Sequence, residues 1–292
     1  MSGRSGTAPG PSSSRAGELP QGWRLERRAE ISQGDIAYDI LGEGPPVLLV
    51  HGTPSWSYLW RNVAPALAGS FSVYIFDLPG YGDSFAPPEA DLSLASHSTA
   101  LVELLEHWGL ANPAVAGHDI GGGIVLRTHL IHRRAFERIA LVDAVVLTPW
   151  ITPTTRHIQE HLEAYRTMPP HIFEQIVATH LGTAVHRGFD AETLAAYLRP
   201  WQGEDGRAAY LQKVERFDET DTTEFEDLLG TIRVPVQIVW GEADAWLDPR
   251  FATRIRDLIP GAEVTSIPHA GHFVMEDAPA EVAQTLDDFF RR

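Results

Sequence analysis

Two short, almost wholly apolar runs, Pro46-Val-Leu-Leu-Val50 and Val73-Tyr-Ile-Phe76, each end at a glycine-bearing turn. Strands buried on both faces of a parallel sheet have this pattern. Ahead of them, residues 25–31 and 35–40 flank Ser32-Gln-Gly34 and predict an antiparallel hairpin that opens the sheet. Between the two apolar runs, 57–67 predicts a helix. The alternation then repeats, with a helix over 96–108, a strand at 114–116, a helix over 120–132 and a strand at 139–142. Strand and helix in regular alternation predict a doubly wound, mostly parallel sheet covered by helices.

From 148 to 226 the rhythm changes to helical stretches rich in aromatics, broken at Pro169-Pro170, Pro200 and Gly203, with no strand pattern. The sheet pattern returns with Val236-Gln-Ile-Val-Trp240, a helix over 251–258, a strand at 263–267 and a last helix ending near Phe290. The expected organisation is one core domain, 21–147 and 227–292, with a helical cap, 148–226, inserted into it. Residues 1–20 are dominated by Ser, Gly, Pro, Ala and Arg, which cannot bury enough apolar surface to offset their ordering entropy. They predict a disordered tail. Arg4 and Arg15 among serines resemble an organelle-targeting peptide, but the Gly and Pro content opposes the amphipathic helix one needs.

Composition narrows the partners. The chain has 292 residues, 43% of them hydrophobic, enough for a full core. A formal charge of -16 repels phosphate backbones and anionic headgroups, so nucleic acid and acidic membranes are unfavourable partners and a neutral small molecule is the expected one. There are no cysteines, which excludes disulfides, thiolate catalysis and Cys-ligated metals. No His-Glu-x-x-His spacing occurs, and neither metal nor organic cofactor is expected. The absence of a long apolar run points to a soluble, cytoplasmic protein; oligomeric state is left open.

Ligands of such sheets bind at the carboxyl ends of the strands, so chemistry is sought just after each one. Four segments stand out: His51-Gly-Thr-Pro54, Gly117-His-Asp-Ile-Gly-Gly122, Gly241-Glu-Ala-Asp244 and His269-Ala-Gly-His272-Phe273. Asp119, flanked by glycines between a strand and a helix, occupies the place of a nucleophile on a sharp elbow. Asp244 and His272 follow in the order acid, then histidine. Asp143, after the strand at 139–142, is the alternative acid. His118, His51 and His269 are expected to serve as packing and hydrogen-bonding residues.

These segments, with Pro54-Ser-Trp-Ser-Tyr-Leu-Trp-Arg61 and Asp77-Leu-Pro-Gly-Tyr-Gly-Asp-Ser84, resemble the aspartate-nucleophile α/β-hydrolases, which include haloalkane dehalogenases and epoxide hydrolases. The resemblance runs from about Gly34 to the C-terminus. It implies the α/β-hydrolase fold, Asp119 as nucleophile, His272 as the base that activates water, and backbone N–H groups of Thr53 and Ile120 as the oxyanion hole. The carboxylate limits the chemistry by itself. An Asp with a pKa near 3.9 is ionised at neutral pH and needs no base to attack. On a carbonyl it would form a high-energy anhydride; on a saturated carbon bearing a leaving group it forms a stable ester, which activated water then cleaves.

The expected activity is therefore haloalkane dehalogenase-like hydrolysis of a small apolar substrate through an alkyl-enzyme ester. The chain departs from that family's pattern at Ile120, where dehalogenases commonly carry a halide-binding Trp, and at Thr53, where many carry Asn. Trp56, Trp150, Trp201 and Phe273 are candidates to line the pocket, the tryptophans with an indole N–H on the leaving group. The alternative is an epoxide hydrolase whose acid is a cap tyrosine, Tyr165, Tyr197 or Tyr210. A further alternative keeps the fold for non-hydrolytic binding or rearrangement of a ligand.

Overall fold

The computed structural model describes residues 23–292; the tail expected at 1–20 lies outside them. Eight strands form one sheet in the order β1-β2-β4-β3-β5-β6-β7-β8. They are β1 (Arg27–Ile31), β2 (Gly34–Leu41), β3 (Pro46–Val50), β4 (Ser72–Phe76), β5 (Ala114–Asp119), β6 (Ile139–Ala144), β7 (Val236–Gly241) and β8 (Glu263–Ile267). β1 and β2 form the antiparallel hairpin, β2 runs antiparallel to β4, and the other neighbours are parallel. Every residue of β5, β6 and β7 is buried, which is why these runs carry no polar alternation.

The helix expected over 57–67 is two pieces, a 3₁₀ turn at Ser57–Trp60 and α1 (Ala64–Leu67). Pro65 explains the division. Lacking an N–H, it fits the first turn of a helix and breaks the interior of one. α2 (Leu94–His107) begins two residues earlier than expected because Ser93 caps it, its hydroxyl accepting from Ser96 N at 3.1 Å. α3 (Ile120–Leu130) follows β5 with no intervening residue.

Between β6 and β7 the chain runs as α4 (Pro153–Glu160), α5 (Leu162–Arg166), α6 (Pro170–Gly182), α7 (Ala191–Leu198), α8 (Gly203–Arg216) and α9 (Thr220–Glu226). This layer is tied to the loops at the carboxyl ends of the strands. Phe273 N donates to Ala184 O at 2.8 Å, and Asp277 accepts from Gly271 N, His186 N and Arg187 N. A bidentate Arg61–Glu276 pair takes a third bond from the Tyr197 hydroxyl of α7, joining three separate segments. α10 (Arg250–Leu258), α11 (Val274–Asp277) and α12 (Pro279–Arg291) complete the fold. Among the described residues no helix is long and apolar enough to cross a membrane.

Candidate active site

Asp119 is the last residue of β5, at φ 53 and ψ -127, before α3 opens at Ile120. A side-chain-bearing residue rarely adopts this conformation, and the packing around it is what enforces it. At Gly117 an added Cβ would stand 2.5 Å from Gly121 O, and at Gly52 one would stand 2.3 Å from the Asp119 Cβ. Strand, helix and loop therefore approach closely only because these positions lack side chains. The elbow lifts the Asp119 carboxylate to the head of the sheet, at the positive end of α3.

One carboxylate oxygen, Oδ1, accepts from Thr53 N at 2.8 Å; the other, Oδ2, lies 3.3 Å from His272 Nε2. The Ile120 amide, the second expected oxyanion donor, makes no bond to the carboxylate in this state. On the far side of the ring, His272 Nδ1 meets Asp244 Oδ2 at 3.0 Å. The other Asp244 oxygen accepts from Trp246 N at 2.8 Å and Leu247 N at 3.0 Å, which fixes the carboxylate in a turn. Asp143, the alternative acid, has no such contact. Its Oδ1 accepts from Gly241 N at 2.8 Å and holds the start of the Asp244 loop. Burial, reinforced by the charge of Asp244, raises the Asp143 carboxyl well above the usual range.

Burial disfavours a charged His272, but the charges and hydrogen bonds of Asp244 and Asp119 outweigh it and push its pKa up to about 10. Burial also works against the Asp119 carboxylate, and His272 outweighs it in turn, holding Asp119 below its ordinary value. The resting site is thus an imidazolium between two carboxylates. Since the folded pKa of His272 exceeds that of the unfolded chain, its contribution to stability is complete below about pH 6.5 and disappears as pH rises through about 10. Asp119→Asn removes one of the two charges and should lower the His272 pKa. An NMR titration of the His272 ring in both proteins checks this, and an unchanged pKa would deny the coupling.

The neighbouring histidines are held neutral by burial. His51, pushed down to about 4, donates from Nδ1 to Gly52 O at 2.8 Å and accepts from Leu78 N at 2.9 Å, bracing the loop that carries Thr53. His118, pushed down to about 3, donates from Nε2 to His272 O at 3.0 Å.

A narrow cavity opens above Asp119, Thr53 and Ile120, walled by Trp150, His180, Tyr210, Phe217 and Trp246. Of the expected lining residues, Trp150 and Tyr210 reach it and the others do not. Trp56 is buried with its indole donating to Ala196 O of α7, and Trp201 with its indole donating to Pro54 O. Tyr197 is spent on Glu276. Tyr165 packs edge-on against Phe173, and Phe273 lies buried among Tyr197, Trp246 and His118. Sequence periodicity puts an aromatic on a helix face, but the neighbouring elements decide what that face meets.

Trp246 and His180 are among the cavity residues that escape sequence reasoning. Trp246 stacks on His272 at 4.8 Å and on His180 at 4.3 Å, while its indole donates to Thr183 Oγ1 at 2.8 Å. Its place two residues past Asp244, in a strand-end loop, was the available signal. His180, in the last turn of α6, offers none. Burial and the nearby His272 charge push it down to about 4, so it is a neutral imidazole.

The chain is similar to known proteins along most of its length. The sequence profile of the alpha/beta hydrolase fold family matches residues 45–279. A haloalkane dehalogenase of Mycobacterium marinum is 30% identical, over 84% of this chain and 84% of its own. A cis-3-alkyl-4-alkyloxetan-2-one decarboxylase of Xanthomonas campestris is 27% identical, over 91% of this chain and 96% of its own. The crystal structure of an alpha/beta hydrolase fold protein from Burkholderia ambifaria is similar with a TM-score of 0.88 and 34% identity, covering 91% of this chain and 99% of that one.

Proposed function

The chain belongs to the α/β-hydrolase fold family, and from that premise we propose that this hydrolase opens epoxides through an ester on Asp119, with Tyr210 as the acid. One observation carries the choice of leaving group. The indole N–H groups of Trp56, Trp150, Trp201 and Trp246 are all spent on protein acceptors, so neither tryptophan on the cavity wall, Trp150 nor Trp246, has an indole free to hold a halide. Tyr210 O–H and the His180 ring line the cavity and have no hydrogen-bond partner among the described residues. Burial raises the Tyr210 pKa, so the phenol keeps its proton until a developing alkoxide takes it.

The steps balance. Asp119 Oδ2 attacks a ring carbon, the carbon–oxygen bond breaks, and the ring oxygen takes the Tyr210 proton. Ester formation neutralises Asp119 and so removes part of what keeps His272 protonated. The proton His272 then releases restores Tyr210. Neutral His272, oriented by Asp244, takes one proton from water as the oxygen attacks Asp119 Cγ. Charge develops on Oδ1, where Thr53 N already points. Collapse frees the diol, whose second hydroxyl takes the remaining proton of water. Tyr210→Phe should slow ester formation by about 10- to 100-fold with styrene oxide and leave ester hydrolysis nearly unchanged. Rapid-quench mass spectrometry separates the two steps, and equal loss in both would count against Tyr210 as the acid.

The 30% identity to a haloalkane dehalogenase favours a second reading, halide displacement on the same Asp119. The oxetan-2-one that names the Xanthomonas campestris relative is, like an epoxide, a strained oxygen ring, and it keeps non-hydrolytic ring opening as a third outcome. Assays with styrene oxide and 1-bromobutane in parallel decide between them. Diol without bromide release is expected. Bromide release without diol would transfer the reading to dehalogenation, and failure of both would favour the non-hydrolytic outcome.

A further inference from the structure

The loop that carries Thr53 is anchored in two different layers of the molecule. Its first half is held by the core, since Gly52 O accepts from His51 Nδ1 at 2.8 Å and Ser55 Oγ at 2.9 Å. Its second half is held from the helical layer, where Trp201 Nε1 donates to Pro54 O at 2.9 Å. The same indole meets the Tyr81 ring edge-on at 5.7 Å, and the Tyr81 hydroxyl donates to Thr53 Oγ1 at 3.2 Å. Trp201 therefore constrains residues 53 and 54 directly at one and through Tyr81 at the other.

Trp201 itself has little room to shift. It is 1% exposed, in the turn between α7 and α8. An added Cβ at Gly206 would stand 2.3 Å from its carbonyl carbon, so α8 presses on its backbone. The Lys213 Nζ of α8 sits over both the Trp201 and Tyr81 rings, 5.2 and 4.9 Å from their centroids. A reverse bond, from Trp56 Nε1 of the core to Ala196 O of α7, closes the clamp from the other side.

We infer that Trp201 is a positioning residue for the oxyanion loop, coupling the seating of the helical layer to the aim of the Thr53 N–H at Asp119. This rests on the reading of Asp119 as nucleophile. Its consequence is confined to one step. Charge on Oδ1 is greatest while water attacks the ester, so a misdirected Thr53 N–H slows ester hydrolysis and leaves ester formation largely intact.

Trp201→Phe keeps the aromatic bulk and removes the N–H; Trp56→Phe removes the reverse bond and leaves Pro54 anchored. Two readouts are needed on each. In the substrate-free protein, hydrogen exchange at the Thr53 amide should quicken by about tenfold in Trp201→Phe, the loss expected for one hydrogen bond, and by less than about twofold in Trp56→Phe. With styrene oxide, rapid-quench mass spectrometry of Trp201→Phe should give ester hydrolysis slowed by about 5- to 10-fold, with ester formation within about twofold of wild type. Unchanged Thr53 exchange, equal slowing of both steps, or the same behaviour in Trp56→Phe would overturn the inference. If no ester forms even in His272→Ala, the nucleophile reading fails separately, and Thr53 exchange alone decides the positioning of the loop.

Discussion

His272→Ala, mixed with styrene oxide, should gain the mass of one substrate molecule on Asp119 and then stop. Turnover is expected to fall by at least about 10³-fold, because the proposed base that activates water is gone while the proposed nucleophile is intact. The variant also loses the imidazolium beside Asp119, so ester formation itself slows, but by less than hydrolysis, and the adduct accumulates. Among the described residues, His180 is the histidine on the cavity wall, a neutral imidazole. Burial pushes it down to about 4 and no carboxylate pairs with it, so it is a weak base and a poor substitute. An adduct elsewhere, or undiminished turnover, would remove His272 from its role.

Asp244→Asn and Asp143→Asn should differ by orders of magnitude. Asp244 bonds His272 Nδ1 and, in the proposed mechanism, stabilises the imidazolium formed as water is deprotonated. Its amide loses that charge and permits the wrong tautomer, for an expected fall of about 10³- to 10⁴-fold in turnover. Asp143 makes no contact with His272 and bonds Gly241 N, a bond an asparagine carbonyl reproduces. Its variant should lose less than about fivefold, since that bond is kept. Steady-state kinetics on both proteins checks the pair, and the reverse order would make Asp143 the working acid.

What the sequence made legible follows from what is local. The apolar runs at 46–50 and 73–76 gave parallel strands because residues buried on both faces leave a continuous signal, and the glycines around Asp119 mark where strand, helix and loop meet. Pro65 divides 57–67 into a 3₁₀ turn and α1, a break that the apolar spacing alone does not show. Side-chain direction was not legible. Trp150 and Trp201 carry similar sequence weight, yet one walls the cavity and the other bonds Pro54 O, a difference set by how α7 and α8 settle on the loop at 51–55. The preference for Asp244 over Asp143 was already readable in Trp240-Gly-Glu-Ala-Asp244 after a late strand, and of the two only Asp244 comes within 3.0 Å of His272 Nδ1.

The proposed hydrolysis passes through a covalent ester at Asp119, and a single turnover in ¹⁸O-labelled water tests for it most directly. With enzyme in excess over styrene oxide, the first diol should carry unlabelled oxygen at both hydroxyls, one from the ring and one from Asp119. The heavy oxygen should appear in the Asp119 carboxylate, located by peptide mass spectrometry. Heavy oxygen in the first diol, with Asp119 unlabelled, would mean that water attacks the substrate directly and that Asp119 is not the nucleophile.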